Sequence, residues 1–230
     1  MELGRRQVLV MLAASAASAR LRAEQPIEVI ERAAWGAAAP GSDLVPHRIE
    51  RLTFHHTAVA LIDTRLAPER LRQHQAFHQG ERGWPDLAYH FAIDTAGHVY
   101  EGRDLAFRGD TATSYDPTGH LLVVLEGDFD RQPLGPLQRN AAIGVMAWAW
   151  DRYQLDRDRV AGHGEFADTS CPGAAIREWL QSSDLPKAVR EVSAGGSPRL
   201  VYLRGDTARF RVARIERPGT RHRIGRLRPV

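Results

Sequence analysis

The sequence predicts a mixed α/β fold, in which a central mixed β-sheet is flanked by helices. Short apolar runs alternate with longer amphipathic stretches along most of the 230 residues, and 43% of the residues are hydrophobic against 26% charged. This interleaving of strand-like and helix-like segments is typical of a sheet covered by helices. The length is sufficient for one compact domain with shorter additional segments.

Five segments have the pattern of strands. Apolar and polar residues alternate in the first of them, and the continuous apolar run at 121–125 is typical of a buried central strand. Thr95-Ala96-Gly97 separates two of the segments and predicts a hairpin. The predicted strands are residues 49–60, 87–94, 98–101, 121–125 and 159–162.

Three segments have the pattern of helices. A polar stretch at 68–82 begins with Pro68, a residue that fits the first helical turn. Apolar residues of 136–153 recur on one helical face, so this helix is expected to pack on the sheet. A final helix is predicted at 172–181, with Cys171 directly before it.

The N-terminus has the order of features found in export signals. Arg5-Arg6 precedes an apolar run, and Ala17-Ser18-Ala19 has the small residues of a cleavage site. The arginine pair resembles a twin-arginine signal, and an ordinary secretory signal is the alternative. We therefore expect residues 1–23 to be a signal peptide and the protein to be periplasmic or secreted. No other stretch approaches the roughly 18 apolar residues of a membrane span, so none is expected in the mature chain.

Charge separates the C-terminal part of the chain from the rest. Residues 24–186 carry a net charge of −9, whereas 187–230 carry +9. The predicted organisation is a domain at 24–186, a linker at 187–198 and a basic extension at 199–230. The extension is interpreted as either a small β-meander or a basic tail, with turn residues separating the strand-like runs 200–203, 208–215 and 222–227.

The basic extension has two candidate partners. It could contact its own acidic domain, or it could bind anionic polymers of the cell envelope, which the sequence interpretation favours. Nucleic acid is not expected as a partner, because export removes the chain from cytoplasmic DNA and the extension has few aromatic residues.

Three residues could form a metal site. His55 lies on the first predicted strand, and His163 and Cys171 lie eight positions apart near the last helix. Two imidazoles and a thiolate suit Zn²⁺, and three protein ligands leave the fourth tetrahedral position for water. Cys171 is expected at a helix N-cap, where the helix dipole favours the thiolate. With ten histidines in the chain, ordinary surface or core roles stay open on spacing alone.

Four stretches in order resemble the N-acetylmuramoyl-L-alanine amidase type 2 family, which includes phage amidase lysozymes and animal peptidoglycan recognition proteins. Together they span most of residues 28–182. The matching stretches are Thr53-Phe54-His55-His56-Thr57-Ala58, Gly83-Trp84-Pro85-Asp86-Leu87-Ala88-Tyr89-His90-Phe91, Gly97-His98-Val99-Tyr100-Glu101-Gly102-Arg103-Asp104, and Gly162-His163 with Thr169-Ser170-Cys171-Pro172-Gly173.

The resemblance implies a zinc hydrolase that cleaves the amide bond between N-acetylmuramic acid and L-alanine in peptidoglycan or muropeptides. By that resemblance, His55, His163 and Cys171 are the zinc ligands. Tyr89 and Thr169 take catalytic positions near the metal. Two further residues, His56 and Trp84, are candidates for binding substrate, and packed structural roles for both stay open.

The chain also departs from the family pattern. Some relatives have an acidic residue on the central strand as a general base, where this chain has Val124. Glu126 lies two residues further on, and it could either substitute or face solvent at the strand end; the second is favoured. Relatives also often have a histidine in the loop near Asp110, and this chain has none there.

Two other functions compete with the amidase. A peptidoglycan-binding module without catalysis is the main alternative, but binding-only relatives usually lack the cysteine ligand that Cys171 supplies here. A structural zinc site would need a fourth protein ligand, and no second cysteine exists to provide it.

Overall fold

A single sheet forms the centre of the fold. The protein is described here by a computed structural model, which covers residues 26–194, 196 and 198–217. Within these residues the strands are β1 (Ile27–Ile30), β2 (Arg51–His56), β3 (Phe91–Ile93), β4 (Val99–Glu101), β5 (His120–Leu125), β6 (Val160–Gly162) and β7 (Leu200–Leu203). Their order across the sheet is β6-β2-β5-β3-β4-β1-β7. The hairpin β3–β4 is antiparallel and the other described pairs are parallel, which confirms the predicted mixed sheet.

Helices cover both faces of the sheet. The described α-helices are α1 (Ala67–Gly80), α2 (Pro136–Tyr153), α3 (Ala174–Gln181), α4 (Leu185–Ser193) and α5 (Gly205–Glu216). One apolar core includes residues of α2, α3 and α4. The other includes residues of α1 and α5. The fold is therefore a three-layer arrangement, with α1 and α5 on one face and α2 to α4 on the other.

Strand β5 lies between the two helical layers and contributes side chains to the core on each side of the sheet. All six of its residues are buried, as expected for a central strand between two layers of helices. Because side chains alternate across a strand, Leu121, Val123 and Leu125 join the α2 core while Val124 joins the α1 core. Each such fully buried aliphatic side chain contributes about 1.5–3 kcal/mol.

Up to residue 217, where the described residues end, the C-terminal segment is neither the separate β-meander nor the basic tail that the sequence suggested. Helix α4 extends to Ser193 and buries Leu185 and Val189, so the first half of the predicted linker belongs to the core. Strand β7 pairs in parallel with β1 at the sheet edge, which confirms the strand at 200–203. The run at 208–215 was wrongly expected to be a strand, because its buried residues have helical spacing.

These helical contacts also bring opposite charges together. In α5 the residues Ala208, Val212 and Ile215 face the core, three to four positions apart. Arg211 pairs with Glu28 of β1 at 2.7 Å, so part of the basic segment folds back on the acidic domain. The third run, 222–227, lies outside the described residues.

The predicted signal peptide, residues 1–23, also lies outside the described residues. Among the helices that are described, none combines the length and apolar character needed to cross a membrane.

Candidate metal centre

Strand β2 places His55 on the α1 face of the sheet. Its neighbour Phe54 points to the opposite face, where it is fully buried in the α2 core. His55 pairs in register with Val124 of β5, and only 2% of its surface is exposed. The alternation of a strand therefore puts one side chain into the core and the next into the site.

His163 and Cys171 reach His55 from neighbouring segments. Strand β6 pairs with β2 up to Gly162, so His163 follows directly beside His55, and the two ring centroids are 4.6 Å apart. A Cβ on Gly162 would lie 2.7 Å from Pro172, so only glycine lets the cysteine segment approach this closely. The backbone N–H of Gly164 donates to the carbonyl of Cys171 at 2.8 Å, which fixes the two segments together.

The geometry of the three side chains fits zinc. Their ligand atoms all lie within 4.8 Å of one another. The Sγ of Cys171 is 3.6 Å from Nδ1 of His55. Zinc–sulfur and zinc–nitrogen bonds of about 2.3 and 2.05 Å at a tetrahedral angle place S and N roughly 3.5 Å apart. The observed spacing is therefore that of two ligands of one tetrahedral metal ion.

Burial sets the protonation of these groups. Desolvation, followed by the nearby His163, holds the pKa of His55 well below its usual value. Desolvation, followed by His56, lowers the pKa of His163 to about 4. Both imidazoles are thus neutral at pH 7, as metal binding requires.

Cys171 does not have the lowered pKa expected from a helix N-cap. Helix α3 begins at Ala174 with Gly173 as its N-cap, so Cys171 lies outside the first turn. Desolvation by burial raises the pKa of its thiol to about 12. A metal ion binding there must therefore displace a proton from the sulfur.

Tyr89 lies beside the candidate metal ligands. Its ring centroid is 5.2 Å from that of His55. Burial, followed by the negative charge of a Cys171 thiolate, raises the pKa of Tyr89 well above its usual value. The hydroxyl therefore keeps its proton at neutral pH and is available as a hydrogen-bond donor.

Thr169 contacts the cysteine segment directly. Its Oγ1 accepts a hydrogen bond from the backbone N–H of Cys171 at 3.2 Å. This contact shapes the turn that presents the sulfur, and it leaves the hydroxyl proton of Thr169 free to donate elsewhere.

The two candidate substrate-binding residues lie in different places. His56 points away from the three candidate ligands, and its Nδ1 accepts from the backbone N–H of Phe129 at 3.3 Å, so its position supports a structural role. Trp84 is half-buried, with its ring 4.7 Å from that of His78, which in turn is 5.8 Å from Tyr89. Trp84 thus ends an aromatic row that leads away from the site.

The loop before β5 contributes residues that the sequence analysis missed. Thr113 Oγ1 lies 2.7 Å from Nε2 of His163, and the Tyr115 ring lies 5.2 Å from the His163 ring. The Tyr115 hydroxyl is buried and has no hydrogen-bond partner among the described residues. The departure noted near Asp110 was the one sequence signal that pointed to this loop.

Glu126 does not face solvent as favoured from the sequence. Its side chain is completely buried under α1, with Arg70 Nε at 3.5 Å and His74 Nδ1 at 3.4 Å. The cause is the strand alternation, which directs it to the same face as Val124. It is not among the residues whose ligand atoms converge with His55.

Comparison with known proteins identifies the family. The profile described as N-acetylmuramoyl-L-alanine amidase matches residues 45–174, more than half of the chain and the part that contains the three converging side chains. The chain belongs to this amidase family. The match confirms the resemblance of the four sequence stretches.

Several relatives of this amidase-family chain are peptidoglycan recognition proteins. Protein SC1a/b of Drosophila simulans is 32% identical over 162 residues, covering 67% of this chain and 87% of its own. Peptidoglycan recognition protein 1 of Mus musculus is 30% identical over 158 residues, covering 67% and 86%.

Solved structures show the same fold. Drosophila peptidoglycan recognition protein SD has a TM-score of 0.62 at 26% identity, covering 67% of this chain and 93% of its own. The amidase LysC of Clostridium intestinale has a TM-score of 0.55 at 21% identity, covering 66% and 94%. The amidase-family fold of this chain is thus shared by recognition proteins and by a bacterial amidase.

Proposed function

We propose that this protein is a zinc-dependent N-acetylmuramoyl-L-alanine amidase that hydrolyses the amide bond between N-acetylmuramic acid and L-alanine. The observation that carries the proposal is the convergence of His55, His163 and Cys171 at the spacing of a tetrahedral zinc site. Three protein ligands leave one position open, which is the arrangement of catalytic zinc.

Hydrolysis of an unactivated amide requires an activated water, a polarised carbonyl and donors that stabilise the developing negative charge. Zinc bound to the three ligands would lower the pKa of water and polarise the amide carbonyl. We infer that the protonated hydroxyl of Tyr89, whose ring centroid is 5.2 Å from that of His55, donates a hydrogen bond to the oxygen that gains negative charge as the carbonyl is attacked. The hydroxyl of Thr169, whose oxygen accepts the backbone N–H of Cys171, is the second candidate donor. Each aligned donor of this kind contributes about 2.7–4 kcal/mol to the transition state.

Peptidoglycan is the substrate class that the relatives indicate. The relatives are named for peptidoglycan recognition, and recognition protein LE has been solved in complex with tracheal cytotoxin, a monomeric diaminopimelic acid-type peptidoglycan. We infer that Trp84, whose half-buried ring lies 4.7 Å from that of His78, offers a face on which part of a muropeptide can stack.

Binding without cleavage is the second candidate function, because relatives are named for recognition. The presence of Cys171 beside His55 favours catalysis over this alternative. Digestion of purified muropeptides by the zinc-loaded protein, with mass spectrometry of the products, separates the two. An amidase releases stem peptides that begin with L-alanine and leaves the disaccharide intact. Tight binding with no such products would establish the recognition function instead.

The N-terminal segment bears on where the protein acts. We infer export through the twin-arginine route, with residues 1–23 as the signal. Replacing Arg5 and Arg6 by lysine should block twin-arginine export, whereas normal export of this variant would favour the general secretory route.

Residues 218–230 carry four arginines and no acidic residue, and we infer that they bind anionic envelope polymers. A chain that ends at Arg217 should cleave soluble muropeptides normally and bind intact sacculi more weakly at low salt. Because exposed charges are screened over about 8 Å at physiological salt, the difference should vanish as salt is raised. Unchanged binding to sacculi at low salt would contradict this role.

A further inference from the structure

Two threonines in the loop before β5 form a hydrogen-bonded chain that ends on His163. Thr113 Oγ1 is 2.7 Å from Nε2 of His163. Thr111 Oγ1 is 2.7 Å from Thr113 Oγ1, and it also accepts the backbone N–H of Thr113 at 3.2 Å. Nε2 of His163 is therefore contacted closely by the Thr113 hydroxyl, which is itself held in place, and at a longer 3.5 Å by Thr111 Oγ1.

The donor and the acceptor of each hydrogen bond in this row can be assigned if His163 is to bind a metal. If Nδ1 of His163 is to offer its lone pair to a metal, the ring must carry its proton on Nε2. Thr111 Oγ1 already accepts from one N–H and can accept the hydroxyl proton of Thr113 as its second bond. The oxygen of Thr113 then accepts the proton on Nε2, and every bond in the chain has one donor and one acceptor.

We propose that Thr113 is a positioning residue for the metal centre, whose hydroxyl accepts the Nε2–H of His163 and so directs Nδ1 toward the metal. This inference rests on the metal site of the proposed function, and it adds a residue outside the ligand set. It assigns to Thr113 the role of fixing both the tautomer and the ring orientation of one ligand.

The surrounding loop is built to hold Thr113 at this distance. On one side, the guanidinium of Arg103, which is buried, contacts the carboxylate of Asp110 at 2.6 Å. On the other side, the ring of Tyr115 lies against His163 and stacks on Phe166 at 5.5 Å. Thr113 is thus fixed between two anchored residues.

The two histidine ligands differ in the hydrogen-bond partner of their Nε2 atoms. The Nε2 of His55 is buried and has no hydrogen-bond partner among the described residues, whereas that of His163 has the Thr113 hydroxyl. A change at Thr113 should therefore act on metal binding through His163 alone. Loss of an outer partner of a metal-ligating histidine typically weakens metal affinity by about 10–100-fold.

Zinc affinity tests the proposal directly. Thr113→Val keeps the shape of the side chain and removes the hydroxyl, and Thr113→Ser is the matched control that keeps it. In competition with a chromogenic chelator, we expect Thr113→Val to bind zinc about 10–100-fold more weakly and Thr113→Ser to bind close to the wild type. Equal affinity of the valine variant and the wild type would overturn the proposal. Thermal unfolding of the zinc-free proteins shows whether the valine variant is still folded.

The tautomer of His163 gives a second readout that needs no metal. Long-range ¹H–¹⁵N spectra of the zinc-free wild type should show the proton on Nε2 of this ring, and Thr113→Val should lose that preference. A wild-type ring protonated on Nδ1 would overturn the proposal. The outcome is separable from the proposed function, since a protein with both effects that cleaves no muropeptide would retain this inference and lose the amidase.

Discussion

The two faces of strand β2 differ in what surrounds their side chains: one face packs against apolar residues, and the other holds buried polar atoms. Leu52 and Phe54 point into the α2 core and are fully buried among apolar side chains. On the other face, the Nε2 of His55 is buried without a hydrogen-bond partner among the described residues. The same face holds the buried hydroxyl of Tyr115, which has no hydrogen-bond partner among the described residues. It also holds the buried carboxylate of Glu126, which lies 3.5 Å from Arg70 Nε and 3.4 Å from His74 Nδ1.

This difference separates stability from function within one strand. A buried polar atom without a hydrogen bond costs about 1–3 kcal/mol, so a fold accumulates such atoms only where something else requires them. The α2 face is mainly apolar, and its two buried polar atoms without a hydrogen-bond partner among the described residues, Gln138 Oε1 and Trp150 Nε1, lie on the helix and not on the strand. The α1 face keeps polar atoms that a metal ion and a substrate can use.

The largest effects on zinc binding and on stability should come from truncating His55 and Phe54, two neighbours that point to opposite faces of β2. His55→Ala should abolish zinc binding and cleavage while leaving a folded protein. Phe54→Ala should keep about one zinc per chain and lose about 3–5 kcal/mol of unfolding free energy, because it empties a core position. Metal analysis and denaturant unfolding in the presence of chelator measure both. Zinc retained by His55→Ala would break the assignment of the faces.

Two tyrosines, one beside His55 and one in the β3–β4 hairpin, should differ in their effects on catalysis and on stability. Tyr89→Phe should lower kcat by roughly 10²-fold with zinc retained, because it removes a donor to the developing charge. Tyr100→Phe is the matched control, since the Tyr100 hydroxyl donates to Asp94 at 2.8 Å in the hairpin. That variant should leave kcat unchanged and cost about 1–3 kcal/mol of stability. Equal kcat for Tyr89→Phe and the wild type would leave Tyr89 as a packing residue.

Zinc affinity should depend on pH through the cysteine. The pKa of Cys171 is raised to about 12, so zinc must displace its proton at any pH below that value. Affinity should therefore rise about tenfold per pH unit between roughly pH 6 and 9, with about one proton released per zinc. The histidines add little to this slope, because their lowered pKa values leave them neutral over the same range.

Replacement of the thiol provides the control for this pH dependence. The same burial raises the pKa of the carboxyl group in Cys171→Asp, but from a starting value of about 3.9, so the zinc affinity of this variant should level off at a lower pH than that of the wild type. Calorimetry in buffers of different ionisation enthalpy counts the released protons. A flat profile for the wild type would show that Cys171 is not a ligand.

The smallest effect concerns the attachment of α5. Arg211→Ala breaks the half-exposed ion pair with Glu28 and should lower the unfolding free energy by less than about 1 kcal/mol. Ile215→Ala, on the buried side of the same helix, should cost about 2–5 kcal/mol. A negligible cost for Ile215→Ala would show that α5 is not part of the domain core.

The sequence predicted the parts of this structure that depend on local pattern. Periodicity located the strand with His55 and the helix at 136–153, and the motifs placed His163 and Cys171 together. These predictions succeeded because strand alternation and helical spacing are visible in a single chain.

The sequence failed where contacts between distant segments decide the outcome. The run at 208–215 alternates like a strand, but packing on β1 and α1 makes it a helix. Thr113 was missed because its partner, His163, is 50 residues away and no motif links them. Cys171 was assigned a lowered pKa from an assumed N-cap, whereas burial, which only the fold reveals, raises it.

Zinc K-edge X-ray absorption of the purified protein measures the coordination of the metal itself. We expect one zinc per chain with one sulfur at about 2.3 Å and two imidazole nitrogens at about 2.0–2.1 Å, and a fourth light atom completing the tetrahedron. The sulfur contribution should disappear in Cys171→Asp. A shell of nitrogen and oxygen alone in the wild type, or a protein that takes up no zinc, would show that His55, His163 and Cys171 do not form a zinc site.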